Sequence, residues 1–167
     1  MDEHFLPINE SEHAGKILRR LNSMRKNEKN CDLVIMAEGR KTCVNRDVMC
    51  AASDYFDAMF SHDMKEKQEG VVEMKDAQFS AVEKCIDFIL SGTISVTEED
   101  CAGLLYCARL MQLNEICDKI CPFLESRLTM KSFFIIRATA VKFSLTELIA
   151  VCDNFALDRL FPFGNGK

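Results

Sequence analysis

The stretch from Asp32 to Glu66 constrains the fold most, because its local pattern changes several times in quick succession. Leu33-Val34-Ile35-Met36 is a short apolar run, Glu38-Gly39-Arg40 is a turn, and Thr42-Cys43-Val44 is a second short run. Two such runs closed by a Gly-containing turn read as a pair of strands. Arg46–Ala52 and Asp54–Ser61 then read as short helices. The first ends on the small residues Ala51-Ala52-Ser53, and the second carries Tyr55, Phe56 and Phe60. Ser53 or Asp54 is placed to cap the second helix. Two strands, a helix with a small-residue face and an aromatic helix suit a recognition module that pairs with itself. Nothing in the stretch assembles a catalytic site.

The flanking segments extend this pattern. Ser11 is placed to cap a helix reaching about Met24, with Ala14, Ile17, Leu18, Leu21 and Met24 on one stripe. Residues 26–30 form a polar break. Gly70–Met74 reads as a third strand. Phe79, Val82, Cys85, Ile86, Ile89 and Leu90 mark a helix that Ser91-Gly92 ends. Thr93–Val96 is a brief extended piece. Thr97 followed by Glu98-Glu99-Asp100 is a capping hydroxyl with acids in the first turn of the next helix. Asn114 restarts a helix through Ile116, Cys117, Ile120 and Leu124, which Pro122 should kink or end. Beyond Thr129 two helices follow, marked by Phe133, Ile136, Ala140 and Phe143, and by Leu145, Leu148, Ile149, Cys152 and Phe155. The signal is purely helical after Leu128. Two helices are too few for a core of their own, so they must pack on the preceding domain or on a partner.

The expected class is therefore α+β, a short three-stranded sheet flanked by helices and followed by a helical extension. The expected boundaries are an N-terminal segment at 1–10, the mixed domain at 11–127, the extension at 128–160 and a frayed tail at 161–167.

Composition excludes several function classes. A net charge of −5 over 167 residues is not the footprint of a nucleic-acid binder. The local exception, Lys16, Arg19, Arg20, Arg25, Lys26 and Lys29, reads as a solvated helix face and loop. No apolar run is long enough to span a membrane. The nine cysteines are odd in number, contain no CxxC pair and follow a polar, acidic N-terminus. No disulfide framework is expected, and a reducing compartment, the cytoplasm with access to the nucleus, fits better. Cys117 and Cys121 share a helix face and, with His13, offer zinc donors, but their neighbours Ile116, Ile120 and Leu124 mark them as core. A Gly-rich phosphate loop, HExxH and GxSxG are all absent, and His4, His13 and His62 form no Cys–His pattern. The chain is expected to be no enzyme and to need no cofactor. Oxidation sensing by surface cysteines would require exposure and a lowered pKa, which sequence does not display.

Several short segments, in this order and spacing, resemble the BTB/POZ domain at the head of kelch-like proteins. They are Cys31-Asp32-Leu33-Val34, Val44-Asn45-Arg46-Asp47-Val48-Met49, Ala51-Ala52-Ser53-Asp54-Tyr55-Phe56, Met59-Phe60, Met64-Lys65-Glu66, Phe88-Ile89-Leu90-Ser91-Gly92 and Leu104 through Leu113. The resemblance runs from about Glu12 to Phe123. Thr129–Phe155 resembles the opening of the BACK region that follows in that family, with Ser132–Ala140 in place of its usual opening. Asn45 stands where the family has a histidine, which removes a titratable group. The chain is expected to be a shortened member, without the kelch propeller that reads substrates and able to compete with full-length relatives by forming mixed dimers.

The resemblance implies two interfaces. The first is a two-fold dimer with an exchanged N-terminal strand, carried here by Phe5 and Leu6 and by His13, Ala14, Ile17, Leu18 and Leu21 on the first helix. Ala51, Ala52 and Ser53 would permit close approach, and Asp32 would pair with Arg46 across the dimer. The plainer alternatives are that Ile17, Leu18 and Leu21 cover their own core, and that Asp32 is a solvated strand-end carboxylate. The second implied interface binds cullin-3 through the hydrophobic-x-Glu segment Met64-Lys65-Glu66, with Phe60 and Tyr106 in the same groove and the helices after Leu128 extending it. Met would be an adaptable apolar anchor and Glu a charged acceptor. The plainer reading of Met64 and Glu66 is a solvated loop. Expected partners are thus a second copy, related BTB chains and cullin-3. The leading function is a ubiquitin-ligase adaptor, and the alternative is a transcriptional or cytoskeletal scaffold that binds no cullin.

Overall fold

Leu33, Ile35 and Ala37 are buried and alternate with half-buried Val34 and Met36 along β1 (Leu33–Ala37). This period of two is what a strand with one covered face requires. β2 (Arg40–Val44) folds back antiparallel, pairing Leu33 with Val44 and Ala37 with Arg40. The reversal takes only Glu38 and Gly39, both left-handed at φ 51° and 71°, the conformation that suits a two-residue hairpin. β3 (Val71–Glu73) joins the other side of β1 in parallel, giving the order β2-β1-β3. The computed structural model describes residues 8–61 and 69–160.

A parallel partner needs a crossover, and two helices stand in it among the described residues. α2 (Arg46–Ala52) is capped by Asn45, whose side-chain oxygen accepts from the Val48 N–H at 3.1 Å. The residue that departs from the family's histidine therefore serves here as an acceptor. α3 (Asp54–Ser61) follows, with Phe56 and Phe60 buried. Ser53 caps nothing with its side chain. It is buried, and its hydroxyl donates to the Met111 carbonyl at 2.6 Å.

Before the sheet, α1 (His13–Lys26) follows an N-cap at Glu12 whose side chain makes no capping hydrogen bond, so the expected cap at Ser11 is not formed. The reading of the basic run as wholly solvated also fails, at Arg25. Its guanidinium is only 4% exposed and donates to Thr42 (2.7 Å), Glu83 (3.1 Å) and Asp87 (2.9 Å). Arg25 lies one turn beyond Leu21 on the helix's inward stripe, so its charge is carried under the helix to meet those carboxylates.

α4 (Phe79–Ser91) buries Phe79, Ala81, Val82, Cys85, Ile86 and Leu90 and stops at Gly92, left-handed at φ 69°. Its first N–H, from Phe79, donates to the Glu38 carboxylate at 2.9 Å, and the Arg40 guanidinium lies 4.0 Å over the Phe79 ring. The hairpin tip thus holds the start of α4. Thr93–Val96 joins no strand ladder among the described residues. Ahead of α5 (Cys101–Leu110), the expected capping role of Thr97 is reversed. The Asp100 carboxylate accepts from both the Thr97 N–H and its hydroxyl, at 3.0 and 2.7 Å.

α6 (Asn114–Glu125) runs on one residue-turn past Pro122 instead of ending there. The position whose carbonyl loses its partner, Asp118, is exposed, so water can replace the missing N–H. Thr129 and Ser132 form a reciprocal capping box at α7 (Met130–Lys142), which α8 (Thr146–Leu160) follows. The two helices lie side by side, with the Phe133 and Phe155 rings 5.9 Å apart and Arg137 bound to Asp153 at 2.7 Å. Phe133, Ile136, Leu145, Leu148 and Cys152 belong to the same buried cluster as the sheet and α4. Each large apolar side chain so covered contributes about 1.5–3 kcal/mol, which is why this pair packs on the domain.

One cysteine expectation is overturned. Cys31 and Cys43 are joined by a disulfide, with Cα atoms 5.6 Å apart. The ladder sets Cys43 opposite Val34 and Cys31 lies two residues before β1, so neither the register nor the spacing along the chain carries a sign of it. The other cysteines are free. Cys85, Cys101, Cys107 and Cys152 are buried, while Cys50, Cys117 and Cys121 are half-buried. Burial pushes the Cys107 and Cys101 thiols up to about 12 and Cys152 up to about 11.

Candidate interaction surfaces

The first face is built on α1 and α2. Arg25 fixes the C-terminal end of α1, assisted by Asn22, which donates to Asp87 at 2.9 Å. Burial of the Asp87 carboxyl opposes its charge. The hydrogen bonds from Asn22 and Lys26, with the Lys26 and Arg25 charges, outweigh that and hold its pKa below the ordinary range. Leu18 and Leu21 lean on the core as partly buried residues, whereas His13, Ala14 and Ile17 are exposed, Ile17 to 49%. The apolar stripe therefore divides, its inner edge covering the chain's own core and its outer edge left open. Ala51 and Ala52 are exposed at the end of α2. Ser53 is 4% exposed and committed to Met111, so it does not join them. Asp32 is exposed, and its carboxylate accepts the Arg46 backbone N–H at 2.7 Å within the chain. The Arg46 guanidinium instead covers the Phe60 ring at 4.9 Å. Phe5 and Leu6 lie outside the described residues.

The second face runs from α3 across α5 to α7. Met64 and Glu66, with Lys65, lie outside the described residues. Phe60 is 7% exposed beneath Arg46, so it supports this face from below and does not line an open groove. The reason is local: Phe56 and Phe60 lie one turn apart on the buried side of α3. Tyr106 is half-buried. Its ring stacks on Phe143, the C-cap residue of α7, at 4.3 Å and its hydroxyl donates to the Lys75 carbonyl at 3.3 Å. Burial, and then the Asp76 and Cys107 charges, push its pKa up. Arg109 pairs with Glu147, so α5 is tied to both added helices. Those helices leave Phe134 and Ile135 exposed to 66% and 63%, with Met130 and Val141 beside them. These four residues were not singled out from sequence. The signal was available, since Met130, Phe134 and Val141 fall off the Phe133–Ile136–Ala140 stripe.

Among the described residues no group of His, Cys, Asp and Glu is arranged to hold a metal ion, and no helix is long and apolar enough to cross a membrane. What the geometry offers is contact area on rigid elements.

Comparison with known proteins agrees with this architecture. The sequence pattern of the BTB/POZ domain matches residues 21–128. The chain is 36% identical to kelch-like protein 3 of Homo sapiens and of Bos taurus over 150 residues. That alignment takes in 90% of this chain and 25% of each relative, so the chain spans about a quarter of their length. Among solved structures, the BTB domain of human gigaxonin superposes with a TM-score of 0.63 at 23% identity, covering 74% of this chain and all of that one. The BTB domain of zebrafish PATZ1 gives 0.65 at 20% identity, covering 73% and 99%. By sequence pattern, relatives and fold together, the chain belongs to the BTB/POZ family and is a protein-interaction module similar to part of kelch-like protein 3.

Proposed function

We propose that the protein is a homodimeric adaptor of a cullin-3 ubiquitin ligase. The carrying observation is the α7–α8 pair. Tyr106–Phe143 stacking and the Arg109–Glu147 pair seat it on the domain, and it keeps Phe134 and Ile135 in solvent. Exposed aromatic and aliphatic side chains on a rigid helix are the usual anchors of a protein interface. Met64-Lys65-Glu66 follows α3 along the chain, and a groove for a partner helix is the reading that uses both segments. The adaptor forms and breaks no bonds. It raises effective concentration, and two copies per dimer add avidity. The dimer would form through the open edge of α1 and through Ala51 and Ala52, with Phe5 and Leu6 as the exchanged strand. Mixed dimers with other BTB chains use the same face. The place of action is the cytoplasm, with access to the nucleus.

Titration calorimetry of the full chain with the cullin-3 N-terminal domain tests this reading. Binding should be detected for the wild type and fall at least tenfold for the Met64→Asp, Glu66→Lys double variant. A wild type that dimerises and does not bind would move the assignment to a scaffold without a cullin.

A further inference from the structure

The Cys31–Cys43 bond stands at a junction. Cys31 precedes β1, and Cys43 lies in β2 two residues before Asn45, the cap of α2. Asp32, next to Cys31, accepts the first N–H of α2 from Arg46. On the other side, residues 27–32 are the whole connection from α1 to β1. That connection holds two left-handed non-glycine residues, Glu28 and Asn30, both at φ 53°. It covers a cavity of about 20 Å³ lined by Leu21, Met24, Asn45, Val48 and Leu90. The bond therefore links the exit of α1 to the start of α2.

Two further features bear on reversibility. The Cys43 sulfur is 3.6 Å from the Arg25 carbonyl and the Cys31 sulfur 3.7 Å from the Lys29 carbonyl. Each thiol, once reduced, thus has a backbone acceptor in place, so the reduced state strands no polar group. Both cysteines are half-buried and within reach of a small solute, whereas burial raises the thiol pKa of Cys85, Cys101, Cys107 and Cys152 and leaves them poor competitors for oxidation.

We infer that Cys31 and Cys43 form a reversible dithiol–disulfide site whose oxidised state locks α1 against α2 and so favours subunit pairing. The oxidant is a low-molecular-weight disulfide of the glutathione class. One cysteine thiolate attacks it, forms a mixed disulfide and releases one small thiol. The other cysteine then attacks the protein sulfur of that mixed disulfide and releases the second. Two protein thiols are oxidised, one small disulfide is reduced to two thiols, and the protons are conserved. Locking works by preorganisation: the connection at 27–32 loses its freedom before association instead of during it. The pairing consequence rests on the dimer proposed above, while the redox site itself does not.

The test equilibrates the full chain in glutathione buffers from fully reduced to fully oxidised. Each sample is divided between alkylation with peptide mapping and sedimentation velocity. Expected are a Cys31–Cys43 crosslink that rises with the oxidised fraction, reverses with dithiothreitol and tightens dimerisation by roughly fivefold. Cys43→Ser and Cys31→Ser should each dimerise with no response to the buffer. The pair of variants guards against one that misfolds. A wild type that dimerises but never forms the crosslink overturns the inference and spares the dimer. A reversible crosslink that leaves the dimerisation constant unchanged overturns the lock. A chain that is monomeric in every buffer overturns the lock and the dimer together.

Discussion

At the scale of single residues, the structure concentrates its polar energetics in a few long-range bonds. Arg25 is the hub, holding α1 to β2 through Thr42 and to α4 through Glu83 and Asp87. Replacing it by Ala leaves two partly covered carboxylates facing each other. We expect a loss of about 2 kcal/mol, below the range for wholly buried pairs because Asp87 keeps about a third of its exposure. A shift of the urea midpoint measures it. The same site predicts an acid response. Because the folded pKa of Asp87 is depressed, its contribution is complete above the unfolded aspartate value of about 3.9 and is lost as pH falls through the folded value. Asp87→Asn should therefore flatten the fall of stability below about pH 4. Asp100, where burial is likewise outweighed by hydrogen bonds from Lys84 and Thr97, adds in the same direction. Arg25 and Ser53 show what sequence conceals. One sits in a basic run and the other between two short helices, and both owe their roles to residues tens of positions away: Glu83 and Asp87 for Arg25, Met111 for Ser53. Composition and neighbours along the chain say nothing of such pairings.

The elements were far more legible. A short apolar run closed by the Gly39 turn located β1, two short helical runs gave α2 and α3 with their observed ends, and Gly92 stopped α4 as its place after Ser91 implies. What escaped was the capping chemistry. Thr97 and Asp100 exchange the expected roles of donor and acceptor, and Glu38 reaches from the hairpin turn to cap α4. A cap supplied across the fold has no local signature. Removing it by Glu38→Ala should cost about 1 kcal/mol and speed hydrogen exchange at the first turn of α4. Gly39→Ala should cost a similar amount, about 1 kcal/mol, for a different reason. The added methyl meets nothing within 4 Å, so the penalty is the left-handed backbone alone. Chevron or equilibrium unfolding of both variants separates a lost cap from a strained turn, since only the first disturbs α4.

On the scale of the whole molecule, helical periodicity after Leu128 together with the shortage of core for two helices already required α7 and α8 to dock. The structure supplies the docking surface in Tyr106, Phe143, Arg109 and Glu147. Tyr106→Ala should loosen that seat. It should cost about 3 kcal/mol by large-to-small truncation, less to the extent that the half-buried ring already meets water. Protection of α8 amides should fall before that of β1. The division of the α1 stripe was not legible, because Leu18, Leu21 and Ile17 share one helical period and only the position of α4 decides which of them is covered. That division is where the proposed function begins. The most direct measurement is the solution mass of the full chain by sedimentation equilibrium at micromolar concentration. The account predicts twice the 19.0 kDa of one chain for the wild type, and a return toward that single-chain mass for Ile17→Asp with thermal stability retained. A wild-type mass of one chain across the whole concentration range would contradict it.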